Sequence, residues 1–313
     1  MALPRALTRP IAQKRDRPRV LWGPVLFFLF PAAILYLGFT VYPFLATFYN
    51  SVNVLRMDLG LQAEFVGLKH YQEILLEDDV FRLSVQHSVI WAVVSFFLEV
   101  PIAFLLAVIL AGQIRGSRFF RTAWFTPVLI TAPVVGVIWL WIYNNDWGVV
   151  NVILRGVGLG SLALPWLGNT TTALPALIFV TTWMFVGFDM VILLAAIHAI
   201  PPEYIDAARI DGASRLRVVI DIQLPLMRQT LVNLLILCTI GKLKQFALVY
   251  VMTRGGPLWA TETVATYVIK RAFDWKTLDL GYPSAIAVLW FLVILGATIV
   301  LGKMLHSRDS LEF

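Results

Sequence analysis

Six stretches of this chain are each long and apolar enough to cross a lipid bilayer: residues 21–47, 84–111, 122–143, 173–199, 227–251 and 284–305. A crossing needs about 20 mostly apolar residues to span roughly 30 Å of hydrocarbon. Composition points the same way. The 313 residues are 59% hydrophobic and 14% charged, with a mean hydropathy of +0.79. A soluble domain carries about 25% charged residues, so this chain lacks the polar surface to face water. The expected fold class is an all-α integral membrane protein with six transmembrane helices. Pro31, Pro43, Pro101, Pro127 and Pro133 lie inside those stretches. They are tolerable there because neighbouring helices can satisfy freed backbone groups.

Lys and Arg orient such a chain, because they gather in cytoplasmic flanks. Arg5, Arg9, Lys14, Arg15, Arg17 and Arg19 crowd the N-terminal tail. Arg115, Arg118 and Arg121 follow the second span, Arg209, Arg215, Arg217 and Arg228 the fourth, and Lys303 and Arg308 the sixth. With six spans all four groups share one side, which gives N-in, C-in topology. The opposite loop 50–82 is acidic, with Asp58, Glu64, Glu73, Glu77, Asp78 and Asp79. Loop 252–283 carries Arg254, Lys270, Arg271 and Lys276 and departs from the rule. The expected layout is a basic cytoplasmic N-tail at 1–20, a transmembrane domain at 21–305 and a cytoplasmic C-tail at 306–313. The first apolar run is too long for a signal-peptide core and has no small-residue cleavage site after it, so it reads as a retained span. The net charge of +6 is spread over short flanks and forms no patch suited to nucleic acid.

Catalytic signatures are missing. "GATIVLGKM" (296–304) has five residues between its glycines and Met304 where a phosphate-binding loop needs a hydroxyl. "GVGLG" (156–160) follows no strand and reads as an extracytoplasmic turn. His70, His87, His198 and His306 have no ligand spacing, and Cys238 is the only cysteine. The expectation is a chain that is not an enzyme and holds no metal or cofactor of its own.

Against this apolar background, "PPEYIDAARIDGASRLRVVIDIQLP" (201–225) is charged with both signs. Pro201 and Pro202 end the fourth span and suit a helix start. Glu203 and Asp206 fall in the first turn, where the helix dipole favours acids. Ala207, Ala208, Gly212 and Ala213 recur at helical spacing and define a smooth face open to close contact. Gly212 lowers helix propensity by about 1 kcal/mol and marks a tight turn or a close approach. The return "VVIDIQLP" is amphipathic and stopped by Pro225. On physical grounds the segment is either an interfacial connector or a docking surface for a cytoplasmic partner.

This segment resembles the EAA loop of ATP-binding-cassette importer permeases. Asp206-Ala207-Ala208, three residues, Gly212, nine residues and Ile222-Gln223-Leu224-Pro225 reproduce the family spacing. Asp206 stands where the family usually has Glu. "FALVYVMTRGGPLWATETVATYVIKRAFDWKTLDLGYPSAIAV" (246–288) is similar to maltose-type carbohydrate permeases at Thr253, Gly255, Gly256, Pro257, Thr261 and Gly281. Arg254 replaces a common glycine.

The resemblance implies a type I importer permease fold in a bacterial or archaeal inner membrane. It implies a second homologous permease and two ATPase subunits that bind ATP and Mg. It also implies an extracytoplasmic solute-binding protein and a carbohydrate solute moved by alternating access. The ATPase-docking loop, residues 200–226, would comprise Glu203, Asp206, Ala207, Ala208, Asp211, Gly212, Ala213, Leu224 and Pro225. Gly255, Gly256 and Pro257 would face the binding protein.

Glu99, Asp189, Lys242 and Lys244 fall at mid-membrane depth, where ionisable groups are functional candidates. They either pair with one another or line a hydrated cavity. An acidic glycan or a sugar phosphate is the alternative cargo if the lysines face solute. Tyr143, Asn144, Trp147, Asn233 and Tyr250 join as aromatic and amide candidates for a sugar, although aromatics at 139–147 equally suit an interfacial belt. A secondary transporter or channel without an ATPase is the competing class.

Overall fold

A computed structural model describes residues 22–56, 62–112, 114–275 and 279–305 of the chain. The expected tails at 1–20 and 306–313 lie outside the described residues. The chain divides into two units, residues 1–46 and 47–313.

The first unit contains α1 (Trp22–Tyr36), a π-helical turn (Leu37–Val41) and the beginning of α2 (Tyr42–Ser51). Phe27, Phe28 and Phe39 are exposed. The wide turn comes two residues before Pro43. A proline ring clashes with the carbonyl four residues earlier, and a π turn relieves that clash.

The second unit begins with a small antiparallel hairpin, β1 (Asn53–Arg56) against β2 (Gln62–Phe65), registered from Asn53↔Phe65 to Arg56↔Gln62. It is the one departure from an all-α fold among the described residues. Helices α3 (Lys69–Leu76) and α4 (Asp79–Ala111) follow, then α5 (Ser117–Leu129), α6 (Ala132–Ile142), α7 (Val149–Gly156) and α8 (Ala173–Ala199). Short α9 (Pro202–Ile210), α10 (Arg215–Arg217) and α11 (Leu224–Leu226) lead to α12 (Arg228–Leu243) and α13 (Ala247–Met252). The chain ends on α14 (Val264–Ile269) and α15 (Gly281–Leu305).

Among the described residues, five helical stretches are long and apolar enough to cross a membrane: Leu26–Ser51, Asp79–Ala111, Ala173–Ala199, Arg228–Met252 and Gly281–Lys303. They coincide with five of the six expected spans. The expected third span, 122–143, is not one helix. α5 and α6 meet at 102° across a short break. Ile130 and Thr131 are extended there, between Pro127 in the last turn of α5 and Pro133 in the first turn of α6. Proline removes a helical hydrogen bond from the first helix and suits the start of the second.

Helix α8 is the most deeply packed of the five. Its Leu177, Val180 and Met184 join Trp91, Val135, Leu248 and Val249 in one apolar cluster. Its Met190, Leu193 and Ile197 join Ala103, Ala107 and Leu234 in a second. At Gly187, α8 touches the backbone of α5. A Cβ there would overlap the Trp124 carbonyl, so only glycine lets the helices approach this closely.

Asp78 closes one end of the unit. It caps α4, accepting from Phe81 N–H at 2.9 Å. It also accepts from Tyr267 and Tyr282 Oη, each at 2.6 Å, with the Arg271 guanidinium 3.6 Å away. Burial would raise the Asp78 carboxyl. The two phenols, the Phe81 N–H and Arg271 outweigh it and hold the group below the ordinary carboxylate range.

Gly187→Ala tests the close approach. Adding a methyl to a packed contact costs roughly 1–3 kcal/mol. Unfolding of the detergent-solubilised protein is expected to show that loss, while Gly156→Ala, where a Cβ meets nothing, leaves the midpoint unchanged.

Candidate functional site

The charged segment after α8 is a helix with a defined stop. Pro202 occupies its first turn and Glu203 lies beside it. At the far end Ala213 N–H donates to Ala208 O at 2.9 Å and Gly212 N–H to Arg209 O at 3.1 Å, with Gly212 at φ +82°. This pair of bonds around a left-handed glycine is a Schellman termination. Gly212 therefore serves the turn. A Cβ there would meet nothing, so no close approach within this chain requires the glycine.

The smooth face expected from Ala207, Ala208, Gly212 and Ala213 is split. Ala208 is buried against the protein, Ala207 and Gly212 are exposed and Ala213 is half-buried. Ile210 stands out at 86% exposure and Leu216 at 67%. Neither was singled out from sequence. Ile210 occupies the last turn of α9 between Arg209 and Asp211, and that apolar residue between two charges was the available signal. Glu203 and Asp211 are exposed. Asp206 pairs with Arg209 at 3.4 Å on the surface, a contact worth little in water.

Pro225 does not stop the return segment. A π-helical stretch, Val218–Gln223, leads into α11, and Leu224 N–H donates five residues back to Val219 O. The wide turn accommodates the proline as at Pro43, and the path runs on into α12. Leu224 and Pro225 are exposed.

Three of the mid-membrane ionisable residues come together. Lys242 Nζ on α12 lies 2.7 Å from Glu99 Oε2 on α4, with the two side chains 5% and 2% exposed. Asp189 on α8 adjoins both, and its Oδ2 has no hydrogen-bond partner. Lys242 Nζ also sits 4.4 Å from the Phe185 ring centroid. Two carboxyls and one ammonium thus lie buried where three helices meet. Their attraction is strengthened by the low dielectric that makes each charge costly to bury.

Just beyond Lys242 the helix breaks at residues 244–246. The broken turn is served by side chains. Trp290 Nε1 donates to Leu243 O at 2.9 Å and Thr263 Oγ1 to Gln245 O at 2.9 Å. Along α12, Asn233, Leu237, Gly241 and Lys244 are exposed and fall at near-helical spacing on one stripe. Gln229 donates to Asn233 at 3.3 Å. Tyr250 is half-buried, its hydroxyl 3.4 Å from both Asp274 carboxyl oxygens. Tyr143 is in the core, donating to Ala176 O at 3.3 Å, and so is not an open contact. Asn144 accepts from the Asp146 and Trp147 amides, and Trp147 is exposed.

The Gly-Gly-Pro loop is built inward more than outward. Gly255, at φ +80°, is buried against the Glu262 carboxyl, which pairs with Lys270. Burial pushes the Glu262 carboxyl up and Lys270 works against that. Gly256 and Pro257 are half-buried. Thr261 Oγ1 donates to Gly256 O at 2.6 Å. The exposed tip is Leu258, 85% exposed and at φ +47°, a strained angle for a leucine.

Residues 99–308 match the family described as "Binding-protein-dependent transport system inner membrane component". The chain is 33% identical over 285 residues to the probable ABC transporter permease protein YurN of Bacillus subtilis (strain 168), covering 90% of this chain and 95% of that protein. It is 34% identical over 287 residues to the trehalose/maltose transport system permease protein MalF of Thermococcus litoralis, covering 90% and 92%. A crystal structure of a bacterial alginate ABC transporter, in complex with alginate pentasaccharide-bound periplasmic protein, superposes with a TM-score of 0.79. The match covers 90% of this chain and 94% of that one at 20% identity, a likeness of fold.

The buried ionic cluster makes a stability prediction. Lys242→Met strands two buried carboxyls and is expected to cost roughly 3–5 kcal/mol. Glu99→Gln combined with Lys242→Met leaves Asp189 as the one stranded carboxyl of the cluster and is expected to recover part of that loss. Unfolding midpoints in detergent measure both. A loss in the double variant equal to the sum of the Lys242→Met and Glu99→Gln losses would show that the pair is not coupled.

Proposed function

The chain belongs to the family of binding-protein-dependent transport system inner membrane components, and on that premise we propose that it is a pore-forming permease subunit of an ATP-driven carbohydrate importer. A relative named for trehalose/maltose transport supports the cargo class. In this reading a second homologous permease completes the pore, two ATPase subunits bind ATP and Mg on the cytoplasmic side, and an extracytoplasmic protein delivers the solute. The α5–α6 pair counts as the third crossing of six, which makes the topology N-in, C-in. The basic residues around α9 and α10 then face the cytoplasm of a bacterial or archaeal cell, in keeping with the positive-inside rule.

The observation that carries the proposal is the exposed Ile210 at the end of a rigidly terminated helix. An exposed apolar side chain among charges of both signs suits a protein contact, with the apolar group as anchor and the charges fixing register. ATP-driven closure of the ATPases would displace α9, and a path that is helical from α10 to α12 would pass the displacement to the pore as a rigid-body change.

Lys244 bears on the cargo. Since Lys242 is held by Glu99, selection for an acidic glycan would fall to Lys244, exposed on the α12 stripe with Asn233. This second reading is kept because of that cation alone.

Ile210→Glu in the assembled importer is expected to lower ATPase co-purification and solute uptake by roughly tenfold or more, with helical content unchanged. Normal assembly and uptake would remove the docking role. For the cargo, Lys244→Ala is expected to weaken uptake competition by acidic glycans more than by neutral ones if the second reading holds. An equal effect on both leaves the neutral carbohydrate.

A further inference from the structure

The segment after α6 has its polarity reversed with respect to water. In α7, Asn151 is fully buried. Its Nδ2 donates to Asn145 O at 3.1 Å and Leu164 O at 3.0 Å, and its Oδ1 accepts from Trp166 Nε1 at 2.8 Å. The outward positions, Val149, Val152 and Ile153, are apolar and exposed, and so are Val157, Leu159 and Leu162 just beyond. A helix end facing water shows the opposite pattern.

Charge has been removed from this surface as well. Between residues 147 and 172 the single charged residue is Arg155. Its guanidinium is folded back onto Asp146 O at 2.9 Å and Asn145 O at 2.8 Å. Trp147, exposed at the start of the segment, is a residue type that settles at membrane–water boundaries. The segment also continues a lipid-facing surface. α7 packs beside α6, whose exposed Val134, Val137, Ile138 and Trp141 recur at helical spacing. A docked protein would call for hydrogen-bonding groups, about one bond per 100–200 Å² of interface, and the one exposed polar side chain of α7, Arg155, is already bonded to the Asn145 and Asp146 carbonyls.

We propose that residues 147–162 are an interfacial anchor, with α7 lying in the outer headgroup–acyl boundary and Val149, Val152 and Ile153 turned toward the acyl chains. The occupant of this face is lipid. The segment that contains the extracytoplasmic turn "GVGLG" is thus part of the membrane-embedded body. The inference holds whichever solute the importer carries.

Spin labelling of the assembled complex in lipid bilayers tests it. Cys238→Ala removes the native thiol, and single cysteines at Val152, Ile153 and Thr170 carry a nitroxide. Collision rates with oxygen and with a water-soluble nickel chelate are then measured. The expected result is an oxygen-to-nickel ratio several-fold higher at Val152 and Ile153 than at exposed Thr170. Nickel access at Val152 and Ile153 equal to that at Thr170 would mean an aqueous loop. Exclusion of both reagents would mean a protein partner. Either result overturns the proposal.

Discussion

A backbone carbonyl inside hydrocarbon has no water to turn to, so every interruption of a helix needs a partner supplied by the protein. Much of this structure follows from that requirement. The α12–α13 break is possible because Trp290 and Thr263 reach the carbonyls of Leu243 and Gln245. The prolines at 43 and 225 are housed by wide turns that keep their segments helical. The polar groups of the α6–α8 connection are gathered onto Asn151. At the α12–α13 break and in the α6–α8 connection, side chains from elsewhere in the chain take up backbone groups that the helices leave open.

The same economy separates the two ends of α12. Its start follows on from α10 through the π-helical stretch and α11, while α9 is set off by the turn at Gly212. Its other end is pinned by Lys242 between Glu99 and Asp189 and then broken. Movement of α9 would reach α12 through the turn at Gly212 and the helical path from α10, and would meet the next break only beyond the Lys242 pin. Lys244 and the following residues lie at that joint, which is where a change of access would be felt.

Five spans and the charged loop were legible in the sequence because apolar length and the spacing around Gly212 are local properties. The 102° bend was marked only by Pro127 and Pro133, and those prolines looked tolerable because proline inside a span is common. The pairing of Glu99 with Lys242 was open to sequence reasoning as one of two alternatives, but the choice depends on three helices meeting. Tyr143 shows the same limit. An aromatic beside an amide fits a sugar contact until its hydroxyl is found on Ala176 O. Ala208 turns inward because α9 packs one side against the protein, which a pattern of small residues does not reveal. Ile210 was passed over because the family spacing drew attention to the small and acidic positions around it.

Asp78 has a consequence for the order in which the molecule can be made. Its two phenolic partners lie 189 and 204 residues further along the chain. A chain synthesised from its N-terminus inserts α4 with that carboxylate still waiting, hydrated, at the surface. The end of the molecule where Asp78 sits cannot close until α14 and α15 have arrived. A nascent chain halted before residue 282 would leave that clasp open.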